Sequence, residues 1–244
     1  MSKRFDTHAH LSSQEIVALL PSPNYFLNVT SQPSEWLESI FFSSQYNNVL
    51  NALGIHPWFV DEKSEVYFKQ LEWLLQNETI SAIGEIGLDY ANTNEVNRLI
   101  QRKVFHSQIV LASQYQLPVS LHCYKAFDDL YNIVNKAKVI GVLHGFNQSY
   151  ELAMQFVKIG FKIGVGGSIL SDKTKLNKTV FKLPIECLVL ETDFPNFKHD
   201  GQSLALEQSV KIIDKIAQIK SLPVSTVEEY LYNNAMQIFK KESD

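Results

Sequence analysis

Two imidazoles stand two residues apart in Phe5-Asp6-Thr7-His8-Ala9-His10-Leu11. The stretch is rich in β-compatible residues, so it reads as a strand running into a loop. Side chains alternate across a strand, which puts His8 and His10 on one face, where they can grip one metal ion. Other strand-like segments also end in metal-ligand chemistry: Gly84-Glu85-Ile86-Gly87, Leu121-His122-Cys123, Leu143-His144-Gly145 and Glu191-Thr192-Asp193. One such residue can be a solvated rim group or a satisfied core histidine. Four imidazoles with Glu85 and Asp193 ask for more, because a buried carboxylate is costly unless it is paired or metal-bound. Neutral imidazole with carboxylate suits Zn, Mn, Fe or Ni rather than an all-oxygen cage. The set exceeds the roughly three protein ligands of one catalytic zinc. Two ions about 3.5–4 Å apart, sharing a carboxylate, account for it.

These residues need a scaffold that brings strand ends together. The chain alternates between the two periodicities. Strands are expected at 4–7, 25–30, 49–55, 80–87, 118–122, 139–144, 161–165 and 187–192. Helices are expected at 13–20, 34–46, 65–76, 94–115, 126–137 and 150–159, with a short Lys-rich one ending near Pro184 and two more at 204–220 and 227–240. Apolar stripes run through Val66, Leu71, Leu74 and Leu75, and through Val96, Leu99, Ile100, Val104 and Leu111. Ser225-Thr226-Val227-Glu228 has capping-box spacing. Strand–helix alternation implies parallel strands with right-handed crossovers. Eight such units at this length predict an α/β fold, a (β/α)₈ TIM barrel, with the chemistry at the strands' C-terminal ends. An open doubly wound sheet is the second choice, but no Gly-x-Gly-x-x-Gly follows the first strand.

Composition is compatible with this. The 244 residues are 45% hydrophobic and 20% charged, with a net charge of -4, ordinary for an enzyme with a sizeable core. That charge excludes a protein whose whole surface coats duplex nucleic acid, though not a local basic patch. Residues 1–244 show no linker, repeat or low-complexity run, so one domain is expected. Cys123 and Cys187 form no disulfide framework and suggest a reducing compartment. Met1-Ser2-Lys3-Arg4 leads into the first strand without an apolar segment, and no stretch is apolar enough to span a bilayer. A cytoplasmic location, no membrane contact and no obligatory protein partner are therefore expected.

The motifs together resemble the TatD family of metal-dependent hydrolases. They are the His8-Ala9-His10 strand, Gly54-Ile55-His56-Pro57, Gly84 through Tyr90, Leu117-Pro118 through Cys123, His144-Gly145-Phe146 and Glu191 through Pro195. The likeness runs from the first strand to Asn233-Asn234-Ala235 in the last helix. It implies an amidohydrolase-like barrel that hydrolyses ester bonds, with a deoxyribonuclease acting at 3′ or 5′ strand ends as the leading activity. It implies two divalent cations (Zn, Mg or Mn): His8, His10 and Asp193 on one, His122 and His144 on the other, and Glu85 bridging. Asp193 would then handle the attacking water, with Glu85 as its catalytic companion.

The chain departs from the family pattern around the substrate. The Arg usual after the fifth-strand His is missing, and Lys125 stands one place later. Basic Lys198 and His199 and Gly201 follow the Thr-Asp-x-Pro motif, but the Asn-Glu-Pro run is absent. His56, Lys125 and Lys198 are the candidate substrate-binding residues, for nucleic-acid ends or a small phosphoester. Lys173, Lys175, Lys178 and Lys182 could face a phosphate backbone, although such runs are usually solvated. Cys123 reads as packing, Asp89 as a turn residue or part of the substrate opening, and Gly164, Gly166 and Gly167 more as a tight turn than as a close approach. Two other functions stand beside the nuclease: amide, lactone or phosphotriester hydrolysis by the same metal chemistry, and a metal-stabilised barrel with a binding or scaffold role.

Overall fold

The computed structural model describes residues 3–11, 23–61, 64–91, 93–199, 202–203 and 209–240; the side chains of 198–199 and 202–203 lie outside the description. Eight strands form one sheet in chain order: β1 Phe5–Ala9, β2 Tyr25–Val29, β3 Val49–Leu53, β4 Ala82–Asp89, β5 Val119–Tyr124, β6 Gly141–Leu143, β7 Phe161–Val165 and β8 Leu188–Leu190. The registered pairs β1–β2, β3–β4, β4–β5 and β7–β8 are parallel. The helices are α1 Trp36–Gln45, α2 Ser64–Asn77, α3 Glu95–Gln114, α4 Phe127–Ala137, α5 Tyr150–Lys158, α6 Leu176–Lys182, α7 Ser209–Lys220 and α8 Val224–Phe239. A small antiparallel pair, β9 Lys198–His199 and β10 Gln202–Ser203, follows β8. Parallel strands in sequential order with intervening helices are the (β/α)₈ barrel class. No helix among the described residues is long and apolar enough to cross a membrane.

The chain divides into two compact units whose divisions fall inside β2 and β6: Met1–Asn28 with Val142–Asp244, and Val29–Gly141. In the first unit the segment after β8 returns to β1. Asp193 N donates to His8 O at 2.9 Å, His10 N to Phe194 O at 2.7 Å, and Thr7 Oγ1 to Leu190 O at 2.9 Å. Helix α8 packs on this edge: its Phe239 ring lies 5.8 Å from Phe5, and buried Asn234 donates to Ile185 O and Leu188 O at 2.8 and 2.7 Å. Burying that amide is tolerated because both its protons are used.

In the second unit α2 buries Leu71 and Leu74, and α3 buries Val104, Phe105 and Ile109. Two glutamines of α3 share its core face. Gln108 Oε1 accepts from Ile55 N at 2.7 Å and its Nε2 donates to Ile55 O at 3.2 Å, while Gln101 Oε1 accepts from Asp89 N at 2.9 Å. The helix therefore clamps the backbone at the C-terminal ends of β3 and β4 by hydrogen bonds as well as by apolar packing.

Several expectations change. Val66, Val96 and Leu99 are exposed, not part of the buried stripes. The face of α3 turned inward is the one carrying Gln101 and Gln108, which a polarity pattern cannot recognise as core. The last helix begins at Val224 after Pro223, with no side-chain cap, so the Ser225 capping box is not used; the helix already contains it. The strand expected at 187–192 is only Leu188–Leu190, and Cys187 closes a 3₁₀ turn. The helices expected at 13–20 and over 204–208 lie outside the described residues.

Candidate metal centres

In the first unit His8, within β1, and His10, just past it, meet Asp193, which follows β8. Their ligand atoms lie within 4.8 Å of one another. His10 Nε2 is 3.7 Å from Asp193 Oδ1. Asp193 adopts φ 55°, the left-handed region that few side chains tolerate but Asp does. Its carbonyl accepts from Asn196 N and Phe197 N at 2.7 and 3.0 Å, which holds that conformation. His144 follows β6. Its ring stacks on His8 at 3.4 Å between centroids and 9° between planes, and its Nε2 is 3.9 Å from Asp193 Oδ2.

His144 is oriented from behind. Its Nδ1 is 3.1 Å from Oε2 of buried Glu191, whose Oε1 accepts from Gly145 N at 2.9 Å. A carboxylate there accepts a hydrogen bond from Nδ1–H, leaving the Nε2 lone pair on the Asp193 side. Room for Glu191 comes from glycine: a Cβ at Gly164 would stand 2.0 Å from Glu191 Oε2. Within β1, Asp6 is caged by His8 N, Thr192 N and Thr192 Oγ1 at 3.2, 3.0 and 2.7 Å. Burial pushes its carboxyl up to about 7, against the pull of those hydrogen bonds.

The second unit builds a similar arrangement from other strands. Glu85 of β4, His122 of β5 and His56 after β3 bring their ligand atoms within 4.8 Å. His122 Nδ1 is 3.2 Å from Glu85 Oε1, and its Nε2 is 3.1 Å from Oδ2 of buried Asp89. Asp89 here does for His122 what Glu191 does for His144. His56 differs from both. Its Nδ1 accepts from Trp58 N at 3.2 Å, so in the neutral ring the proton sits on Nε2, which faces Glu85 Oε1 at 3.6 Å. A protonated ring nitrogen donates; it does not ligate a metal.

This donor chemistry, neutral imidazole and carboxylate with carboxylates behind two of the histidines, fits divalent transition-metal ions. A family model described as TatD related DNase matches residues 5–240. The chain belongs to this family. Relatives agree: a "metal-dependent hydrolase" of Haemophilus influenzae is 34% identical over 79% of this chain and 78% of its own. The human "Deoxyribonuclease TATDN3" is 30% identical over 97% of this chain and 94% of its own. Among solved structures, the TatD homolog YjjV of Escherichia coli superposes with a TM-score of 0.90 at 28% identity, covering 98% of both chains. The TatD-related chain is a metal-dependent hydrolase with the barrel fold that its strand–helix alternation predicts.

The residues expected from the sequence fall in the TatD-related chain as follows. His8, His10, His144 and Asp193 come together in the first unit, Glu85 and His122 in the second. His56 stands beside Glu85 and His122. Lys125 is exposed, with its Nζ 5.3 Å from the Tyr124 ring centroid. The side chain of Lys198 lies outside the described residues. Lys173, Lys175, Lys178 and Lys182 are exposed. Cys123 is half-buried, and burial pushes its thiol up, as packing implies. Gly164 serves a close approach to Glu191 rather than a turn. Sequence reading left three partners unassigned: Glu191 behind His144, Asp89 behind His122, and Trp58, whose Nε1 donates to Asp89 Oδ2 at 2.7 Å. The first two sit in the quoted motifs, one two residues before Asp193 and one four residues after Glu85; only the tertiary pairing was hidden.

Proposed function

We propose that this chain hydrolyses phosphoester bonds as a deoxyribonuclease acting at 3′ or 5′ strand ends, with two divalent cations (Zn, Mg or Mn). The observation that carries the reading is the pair of histidines, His144 and His122, each turned by a buried carboxylate so that the other ring nitrogen keeps its lone pair toward an acidic ligand residue. In the first unit the metal-holding side chains are His8, His10, Asp193 and His144; in the second they are Glu85 and His122. Bound there, the cations supply Lewis acidity, acidifying water toward neutral pH and offsetting charge on the phosphoryl oxygens.

The chain's own groups do the rest. Asp193, half-buried, orients the attacking water and takes its proton. His56 presents an Nε2–H to a phosphoryl oxygen, with its tautomer held by Trp58 N. Lys125 and Lys198 neutralise neighbouring phosphates of a nucleic-acid end or a small phosphoester. The test is metal analysis of the purified protein together with a hydrolysis screen over DNA strands, small phosphoesters, phosphotriesters, amides and lactones. Phosphoester cleavage that stops on chelation and returns with metal is expected, and Glu85→Ala should lower metal content. Cleavage of amides or lactones alone overturns the phosphoester reading, and full activity in the metal-stripped protein overturns the metal reading.

A further inference from the structure

Trp58 is held in place yet left uncovered. The residue is 72% exposed, whereas Trp36, in the same unit, is wholly buried with its Nε1 bonded to Gly54 O. Exposed aromatic rings are ordinary, Trp73, Phe41 and Phe181 among them; what sets this one apart is that hydrogen bonds fix it beside two histidines. Two hydrogen bonds fix it: Nε1–H to Asp89 Oδ2 at 2.7 Å, and its backbone N–H to His56 Nδ1 at 3.2 Å. The ring centroid is 4.8 Å from that of His56 and 6.2 Å from that of His122. It also walls a cavity of about 480 Å³ together with Pro57, Val60, Asp89, Ile100 and Gln101.

We infer that Trp58 is a stacking platform for the nucleobase of the nucleotide next to the phosphate that His56 contacts. The inference rests on the phosphoester reading above. Its chemistry follows from the surroundings. Asp61 and Asp89 line the cavity and repel phosphate, while a neutral base with exocyclic amino groups suits carboxylates, the Gln101 amide and the apolar faces of Pro57 and Ile100. A π-face accepts any base, so the stack itself selects nucleotides over plain phosphoesters, and any bias among bases comes from the polar groups of the cavity. The bound ring is already oriented, so stacking costs little ordering.

The experiment uses single-stranded oligodeoxynucleotides that carry either a normal base or an abasic tetrahydrofuran residue at the terminal positions. Binding is read by fluorescence anisotropy in chelator, and kcat/KM is read with metal. The wild type should bind and cleave the base-bearing strand roughly 5- to 150-fold better, the range of one base–aromatic stack. Trp58→Ala should bring that ratio toward one. Trp58→Phe should keep most of it, because it retains the aromatic face and loses only the Nε1–H bond to Asp89; a purely structural Trp58 would make Phe as damaging as Ala. Trp73→Ala, another exposed tryptophan, should leave the ratio unchanged. Equal losses on both strands in Trp58→Ala overturn the platform while leaving the phosphoester reading standing. A base preference in binding that depends on Trp58, with no cleavage, upholds the platform and overturns the reaction. No difference between the strands in the wild type overturns the platform outright.

Discussion

Asp193 carries the heaviest chemical assignment among single residues. It sits in a left-handed backbone conformation, with Oδ1 toward His10 and Oδ2 toward His144. If its role were to pack the segment after β8, Asp193→Asn would change stability and little else. As the group that takes the proton from water, Asp193→Asn should leave the fold and most of the bound metal in place while kcat falls on the order of 10²-fold. Unchanged kcat in a metal-loaded Asp193→Asn protein would remove Asp193 from the mechanism. At this scale the sequence was informative about candidate ligand residues and silent about their partners. His8 and His10 announce themselves by strand alternation, and Glu85, His122, His144 and Asp193 by standing near expected strand ends, although Glu85 and His122 lie inside β4 and β5. That Glu191 backs His144, or that the amide of Trp58 sets the tautomer of His56, depends on contacts between segments far apart or on a ring rotamer. No spacing rule encodes either.

Elements position these side chains through a few exchanges between backbone and buried polar groups. Helix α3 holds the residue before His56 through Gln108, whose amide meets both the N–H and the C=O of Ile55. Gln108→Leu keeps the volume and removes both partners, leaving two buried backbone groups unmet. We expect a loss of about 2 kcal/mol or more, measured by chemical denaturation, and a loss below about 0.5 kcal/mol would mean that water or relaxation replaces the clamp. Strand β7 makes its contribution by lacking a side chain. A methyl at Gly164 would collide with the Glu191 carboxylate at 2.0 Å, forcing it away from His144 and Gly145. Gly164→Ala should cost roughly 1–3 kcal/mol of stability and weaken metal binding on the order of 10- to 100-fold, the effect of losing a carboxylate behind a ligating histidine. Metal titration by calorimetry checks this, and unaltered affinity would show that Glu191 is not needed to orient His144. Strands and helices were legible because apolar periodicity marks them. The inward face of α3 was not, since glutamine reads as polar wherever it stands. The division into two units was not legible either: it cuts β2 and β6, so no linker marks it.

For the molecule as a whole, the balance of charge and burial bears on which substrates can be used. The chain carries a net charge of -4, so it lacks the field to wrap a long duplex. Among the ligand-type residues, His8, Glu85 and His144 are buried and His10, His122 and Asp193 half-buried. On the phosphoester reading proposed above, a phosphodiester would have to come down to groups this buried. A frayed or single-stranded end can do so; the interior of a stiff duplex cannot without being bent or opened, which costs energy that a chain with few phosphate contacts has no means to offset. Linear single strands should therefore be cleaved fastest, blunt duplexes more slowly from their ends, and covalently closed circular duplex least. The dependence on salt should be shallow, with log K falling by about 0.7 per phosphate neutralised on a single strand. A side chain such as Lys125 would account for one such contact, so Lys125→Ala should lower the slope by roughly that amount without changing which substrate is preferred. The three substrates compared over a range of salt decide the matter. Rapid nicking of the closed circle, or a slope like that of a protein gripping many phosphates, would mean that the duplex interior does reach the ligand groups and that burial does not set the substrate.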